Sequence, residues 1–212
     1  MKMLMLILAV LAFLSVLKGT IMSNTEQPKY TVIITENNIE LRGYPPVVLA
    51  EVEVSGERKE AIQQGFKILA DYIFGNNVST TKMEMTSPVT SELNEKLAMT
   101  TPVMQQSQGD KWKVRFVMPA DYTLDTLPRP NSSSVHLISM PAKRFVVVSF
   151  SGLAGDDNIR LHTKELEAYI SEKNLKTSGS PVLAFYNPPW TLPFLRRNEV
   201  MIEVLSNSKA LV

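Results

Sequence analysis

Two stretches of this chain repeat one order of elements, and that repetition limits the available folds more than any single motif does. Residues 47–56 match residues 145–155, and Ala70-Asp-Tyr-Ile73 matches Glu167-Ala-Tyr-Ile170 at an offset of 97. Thr101-Pro-Val103 matches Ser180-Pro-Val182, and residues 114–117 match residues 200–203. Each half reads strand, strand, helix, strand, strand. Neither half is long enough to bury a core alone, so the two are expected to form one pseudo-symmetric domain. Short alternating strands favour antiparallel pairing, and each helix needs a sheet face to cover. The expected fold is α+β: a pseudo-two-fold repeat forming a twisted antiparallel β-barrel flanked by two helices.

Within each half the elements follow from apolar periodicity. Strands are expected at 30–35, 39–44 and 47–54, broken by Asn37-Asn38 and Pro45-Pro46. A helix follows Gly56, with Ile62, Phe66, Leu69 and Ile73 at spacings of 4, 3 and 4 on one face, ended by Gly75-Asn76. Next come two copies of one phrase, Met85-Thr-Ser-Pro-Val89 and Met99-Thr-Thr-Pro-Val103. The proline removes a backbone donor and pushes the preceding residue toward extended geometry, so each copy reads as an extended segment presenting Met and Val. Residues 105–110 read as a polar turn, 112–118 as a strand, and 119–134 as a proline-rich connector. Strands at 135–140 and 144–151 precede a second helix from about Asp157, whose apolar face uses Ile159, His162, Leu166 and Tyr169 or Ile170. Strands at 181–186 and 198–205 complete the domain, 30–205, and residues 206–212 form a polar tail.

Residues 1–22 stand outside this pattern. The apolar run 3–17 between Lys2 and Lys18 is short for a bilayer span and fits a signal-peptide core or an N-terminal membrane anchor. No A-x-A site precedes residue 22, so the anchor reading stays open, as does a start at Met22. Export or tethering is expected in the first cases and a cytoplasmic protein in the last. Residues 23–29 read as a linker. Removing Lys2 and Lys18 takes the net charge from +1 to −1, and no basic stripe suggests nucleic acid. Two sequons, Asn77-Val-Ser79 and Asn131-Ser-Ser133, matter only in a glycosylating secretory pathway.

Chemistry is mostly excluded by composition. There is no cysteine, which removes disulfides, thiolate metal sites and a cysteine nucleophile. No nucleophile elbow, P-loop, dinucleotide-binding glycine pattern or zinc-protease motif is present. Glu51 and Glu53 share a strand face and read as solvated. His136 and His162 both read first as structural, although His162 is also a candidate axial ligand of a metal. Arg196 and Arg197 read as exposed, with pairing to a ligand's carboxylates as the functional alternative. No enzyme is expected; the remaining class is a binding protein.

Eight phrases then add to a resemblance: residues 39–44 (IELRGY), 66–77 (FKILADYIFGNN), both Met-Thr-x-Pro-Val copies, 116–119 (FVMP), 126–130 (TLPRP), 150–152 (FSG), 186–189 (YNPP) and 196–200 (RRNEV). In that order the chain resembles the SOUL heme-binding protein family over about residues 30–204. The resemblance implies a barrel with two helices, and heme or another tetrapyrrole held without a covalent bond in an apolar groove against the first helix. It points to Ile62, Phe66, Leu69 and Ile73 as the helical wall, with Met83, Met85 and Met99 as neighbours and Lys67 for a propionate. Burying a porphyrin face of ~300 Å² at about 25 cal/mol/Å² contributes on the order of 7 kcal/mol before association costs. An iron ligand is therefore not required. The resemblance thus implies a monomeric tetrapyrrole carrier; a scaffold or effector-binding module for another amphipathic molecule or a partner peptide is the alternative.

Overall fold

A computed structural model describes residues 25–80 and 94–205. Eleven strands and two α-helices appear among them. β1 (Thr31–Glu36), β2 (Ile39–Tyr44) and β3 (Val47–Ser55) lead into α1 (Arg58–Ile73). β4 (Asn77–Val78), β5 (Val103–Gln108), β6 (Lys111–Val117) and β7 (Arg129–Pro130) follow. The second half comprises β8 (His136–Met140), β9 (Lys143–Phe150), α2 (Asp156–Glu172), β10 (Thr177–Phe185) and β11 (Asn198–Val204). β4 pairs only with β7; the other nine strands form one antiparallel sheet in the order β1-β2-β9-β11-β10-β5-β6-β3-β8.

That order interlocks the halves. From the central β5–β10 pair outward, one side runs β6, β3, β8 and the other β11, β9, β2. β8 belongs to the second half by sequence yet pairs with β3, and β2 belongs to the first yet pairs with β9. Each half thus completes the other's sheet. The sheet is open, with β1 and β8 as edges. The closed barrel expected from the sequence is not formed, although the sheet curls enough for Tyr44 of β2 and Met140 of β8 to line one cavity.

Strand alternation sends two kinds of side chain to two faces. On the helix face, α1 covers Val52, Val54, Val114 and Phe116, while α2 covers Val146, Val148, Val200 and Ile202. The opposite face carries Tyr44, Phe145, Val147, Val182, Tyr186 and Met201. α1 does not bury the stripe its large apolar residues suggest. Its buried residues are Ala61, Gly65, Leu69, Tyr72 and Ile73. A Cβ on Gly65 would lie 2.6 Å from Val114 Cγ2, so the helix backbone rests directly on the sheet there. Small residues mark the line of closest approach, and this rotates Ile62 and Phe66 toward its rim.

Two local expectations change. Residues 105–108, read as turn, belong to β5, and the reversal comes at Gly109-Asp110. Polar Gln105 is buried there against the expectation for glutamine. Residues 25–29, read as linker, are tied to the body: Thr101 N–H donates to Glu26 O at 2.9 Å, and Ala120 N–H to Glu26 Oε1 at 2.8 Å. Asn77 is fully buried; its Nδ2 donates to Tyr72 O and Glu95 O, each at 2.8 Å.

Candidate functional site

The rim of α1 supplies the candidate ligand face. Phe66 is 39% exposed, and its ring meets Phe116 of β6 edge-on at 5.3 Å. Ile62, one turn earlier, is half-buried on the same core. Met99 packs on that core too, between Leu97, whose N–H donates to Ile73 O at 2.8 Å, and Val103, which pairs with Phe116. Lys67 is exposed beside Phe66. An apolar surface with an adjacent cation suits a flat hydrophobic ligand carrying carboxylates.

Not all the expected residues meet there. Leu69 and Ile73 are 0% and 1% exposed, so they support the helix from beneath and offer a ligand no surface. Phe116, missed by sequence reasoning, is their visible consequence: strand alternation could have placed it under the helix. Met83 and Met85 lie outside the described residues. His162 sits on α2, where its ring stacks on Phe150 at 4.3 Å and its Nδ1 lies 2.8 Å from Glu165 Oε2. It packs on the second core cluster, away from the Phe66–Phe116 pair, so the structure does not bring the proposed axial ligand to the groove. Among the described residues there is no cluster of three or more metal-ligating His, Asp or Glu side chains.

Arg196 and Arg197 are also committed elsewhere. Arg196 Nε donates to Thr191 O at 2.7 Å and Nη2 to Pro189 O, which fastens the preceding loop. Arg197 donates from Nε at 2.9 Å and Nη2 at 2.7 Å to Glu199 Oε1, with its guanidinium 4.0 Å above the Tyr186 ring. Both side chains are half-buried rather than fully exposed, because each guanidinium already bonds acceptors of this chain.

Glu199 organises the face opposite the helices. It is 0% exposed, and its Oε1 also accepts from Arg42 Nη1 at 3.0 Å and Ser149 Oγ at 3.1 Å. Tyr186 OH donates to Oε2 at 2.8 Å. Burial, then the Glu199 charge, raises the Tyr186 phenol well above its ordinary range. Burial likewise pushes Tyr44 up to about 12. For Arg42, burial alone would lower the pKa, but Glu199, Tyr44 and Glu40 outweigh it and hold the guanidinium above its usual value. Glu51, read as solvated, is buried as well, with Arg115 Nε at 2.5 Å and Lys113 Nζ at 3.3 Å. A cavity of about 50 Å³ lies on this face, lined by Leu49, Met104, Met140, Phe145 and Met201 among others. It has room for a few waters and not for a macrocycle.

A curled antiparallel sheet with two helices on one face defines the class of this protein, an α+β domain with an apolar helix rim. Comparison with known proteins makes this specific: residues 25–203 match the model of the SOUL heme-binding protein family, and the chain belongs to that family. It is 26% identical over 162 residues to heme-binding protein 1 of Xenopus tropicalis, covering 76% of this chain and 80% of that one. Heme-binding protein 1 of Xenopus laevis is similar to the same extent. Among solved structures, the EcmrR C-terminal domain superposes with a TM-score of 0.57 at 12% identity, over 83% of this chain and 98% of that one. A hydrolase from Listeria innocua superposes with a TM-score of 0.55 at 11% identity, covering 81% and 94%. At these identities the structural likenesses concern the fold alone.

Proposed function

We propose that this protein binds heme or a related tetrapyrrole, without a covalent bond and without enzymatic turnover, on the rim of α1, as a carrier or buffer. The observation that carries the reading is Phe66: a large aromatic left 39% exposed on the rim of α1, seated on Phe116, in a chain of a heme-binding family. Ile62 and Met99 extend the apolar contact, and Lys67 meets a propionate. The bound group would supply its own flat apolar face; the protein supplies stacking area and one rim cation. α1 carries no histidine and His162 lies on α2, so this reading rests on apolar contact and takes no axial histidine from α1. The opposite cavity is the basis of the alternative, a module for a smaller amphipathic effector. Residues 1–22 serve as the export signal or tether, and the domain acts as a monomer.

Titrating the full chain with hemin and following the Soret band tests this. A saturable one-to-one shift, kept in His162→Ala and weakened on the order of tenfold or more in Phe66→Ala, is the expected result. No saturable shift at tens of micromolar hemin would sink the reading while leaving the fold intact. Loss of the shift in a folded His162→Ala variant would relocate the site to α2.

A further inference from the structure

The loop between β10 and β11 displays large apolar side chains to solvent. Trp190 is 64% and Phe194 71% exposed, and Leu195 projects beside them. Leu153 adds to the patch, because Gly152 N–H donates to Pro193 O at 2.9 Å and brings the β9–α2 turn alongside. None of these side chains belongs to the α1 rim or to the buried Glu199 network.

This loop is built rather than loose. Thr191 N–H donates to Pro188 O at 3.0 Å, and Leu195 N–H to Leu192 O at 2.9 Å. The Arg196 guanidinium closes the loop from within, onto the carbonyls of Pro189 and Thr191. Pro188, Pro189 and Pro193 have no N–H to satisfy. The carbonyls of 188, 189, 191, 192 and 193 therefore all have partners inside the fold. Backbone groups already bonded cost little to move out of water, and tryptophan favours the membrane–water boundary.

The position of the chain's N-terminal side gives a second, independent pointer. Gln27 Oε1 accepts from Arg197 Nη1 at 3.3 Å, and Arg197 N–H donates to Asn187 Oδ1 at 2.7 Å. Gln27, which follows the apolar run 3–17 in sequence, thus touches the base of this same loop, while Glu26 bonds Thr101 and Ala120. The charges flanking Leu153 pair among themselves: Arg58 with Asp156 at 2.8 Å, and Arg160 with Asp157. Such a rim neither seeks nor avoids anionic lipid.

We propose that Trp190, Phe194, Leu195 and Leu153 form a membrane-docking tip that enters the interface of a zwitterionic phospholipid bilayer. The tip orients the domain on the membrane surface, and apolar burial rather than charge drives it.

The test uses the full chain carrying Trp112→Phe, which leaves Trp190 as the sole tryptophan. Its fluorescence is followed with phosphatidylcholine vesicles containing acyl chains brominated at known depth. The expected result is a blue shift with quenching strongest for bromines nearest the headgroups, insensitive to added salt. Phe194→Ser, with its fold checked by circular dichroism, is expected to weaken the tip's engagement on the order of tenfold. Vesicle-bound protein with an unquenched, red-emitting Trp190 would overturn the proposal. So would a Trp190 already shielded without vesicles, in a monomer by residues 1–24 or in a dimer by a second copy.

Discussion

Arg42 Nη1 and Glu199 Oε1 meet at 3.0 Å across 157 residues of sequence, with side-chain exposures of 3% and 0%. The pair joins β2 of the first half to β11 of the second across β9 and is completed by Arg197, Ser149 and Tyr186. A buried ion pair adds little net stability relative to apolar packing, but removing one partner strands the other. Glu199→Ala removes the fully buried anion shared by Arg42 and Arg197, leaving Arg42 only the partly exposed Glu40, and is expected to cost about 3–5 kcal/mol. Glu199→Gln, which keeps an acceptor, is expected to cost less. Urea midpoints at unchanged m-value measure both; a loss under 1 kcal/mol in Glu199→Ala would show that the network is not structural.

Gly65 sets how close α1 lies to the sheet. Alanine is the better helix former by up to about 1 kcal/mol, yet its Cβ would meet Val114 Cγ2 at 2.6 Å and Val52 Cγ1 at 3.3 Å. Overpacking of this kind costs about 1–3 kcal/mol, so Gly65→Ala is expected to destabilise. In a Val114→Ala background the Cγ2 contact is gone but the Cβ contact at 2.9 Å remains, so the penalty of Gly65→Ala should shrink without vanishing. Equal penalties in both backgrounds would assign the effect to something other than this contact.

The three buried tyrosines of the six, Tyr44, Tyr72 and Tyr186, have phenols raised chiefly by burial. In the unfolded chain they ionise near 10, so above that pH the unfolded state holds fewer protons and stability falls as pH rises. This contribution is fully present below pH 10 and is lost through the folded value, about 12 for Tyr44. A spectrophotometric titration is expected to show these three ionising only with cooperative unfolding. Smooth ionisation of all six tyrosines in folded protein would contradict the burial.

Asn77 clamps the ends of the segment between α1 and β5. Its Nδ2 holds Tyr72 O and Glu95 O, and its Oδ1 accepts from Glu95 N–H at 3.0 Å. Asn77→Ala strands three buried backbone groups and is expected to cost about 3 kcal/mol. The same burial bears on the two sequons. Expressed through a glycosylating secretory pathway, the folded product should carry a glycan on exposed Asn131 and none on Asn77. Peptide mapping after glycosidase treatment checks this, and a fully occupied Asn77 would refute it.

Much of the fold was legible from particular residues. Alternation in Val47–Ser55 located β3, the apolar run before Gly152 located β9, and Gly56 and Gly75 bounded α1. The candidate site was legible only in part. Ile62 and Phe66 belong to the rim, whereas Leu69 and Ile73, on the same apparent stripe, are core. Reading hydrophobicity alone gave no weight to Ala61 and Gly65, although a helix settles on its smallest residues where a sheet presents valines. Glu51, Arg197 and Glu199 were misjudged or unnoticed for a related reason. Arg115 and Arg42, the partners of Glu51 and Glu199, lie on other strands, and only pairing brings each to its carboxylate, Glu199 being the one that Arg197 also meets.

By itself the sequence determined the element order, the α+β class and the family, because periodicity, turn residues and ordered phrases are local properties. Tertiary structure alone decided that the sheet stays open, that β2 and β8 complete each other's halves, and that Phe66 is left at the rim while Leu69 is buried. It alone made a buried ion network of Arg42 and Glu199 and a displayed apolar tip of Trp190 and Phe194. Whether a side chain is wet, paired or covered depends on what the rest of the chain places against it, and one-dimensional patterns carry that information only for neighbours.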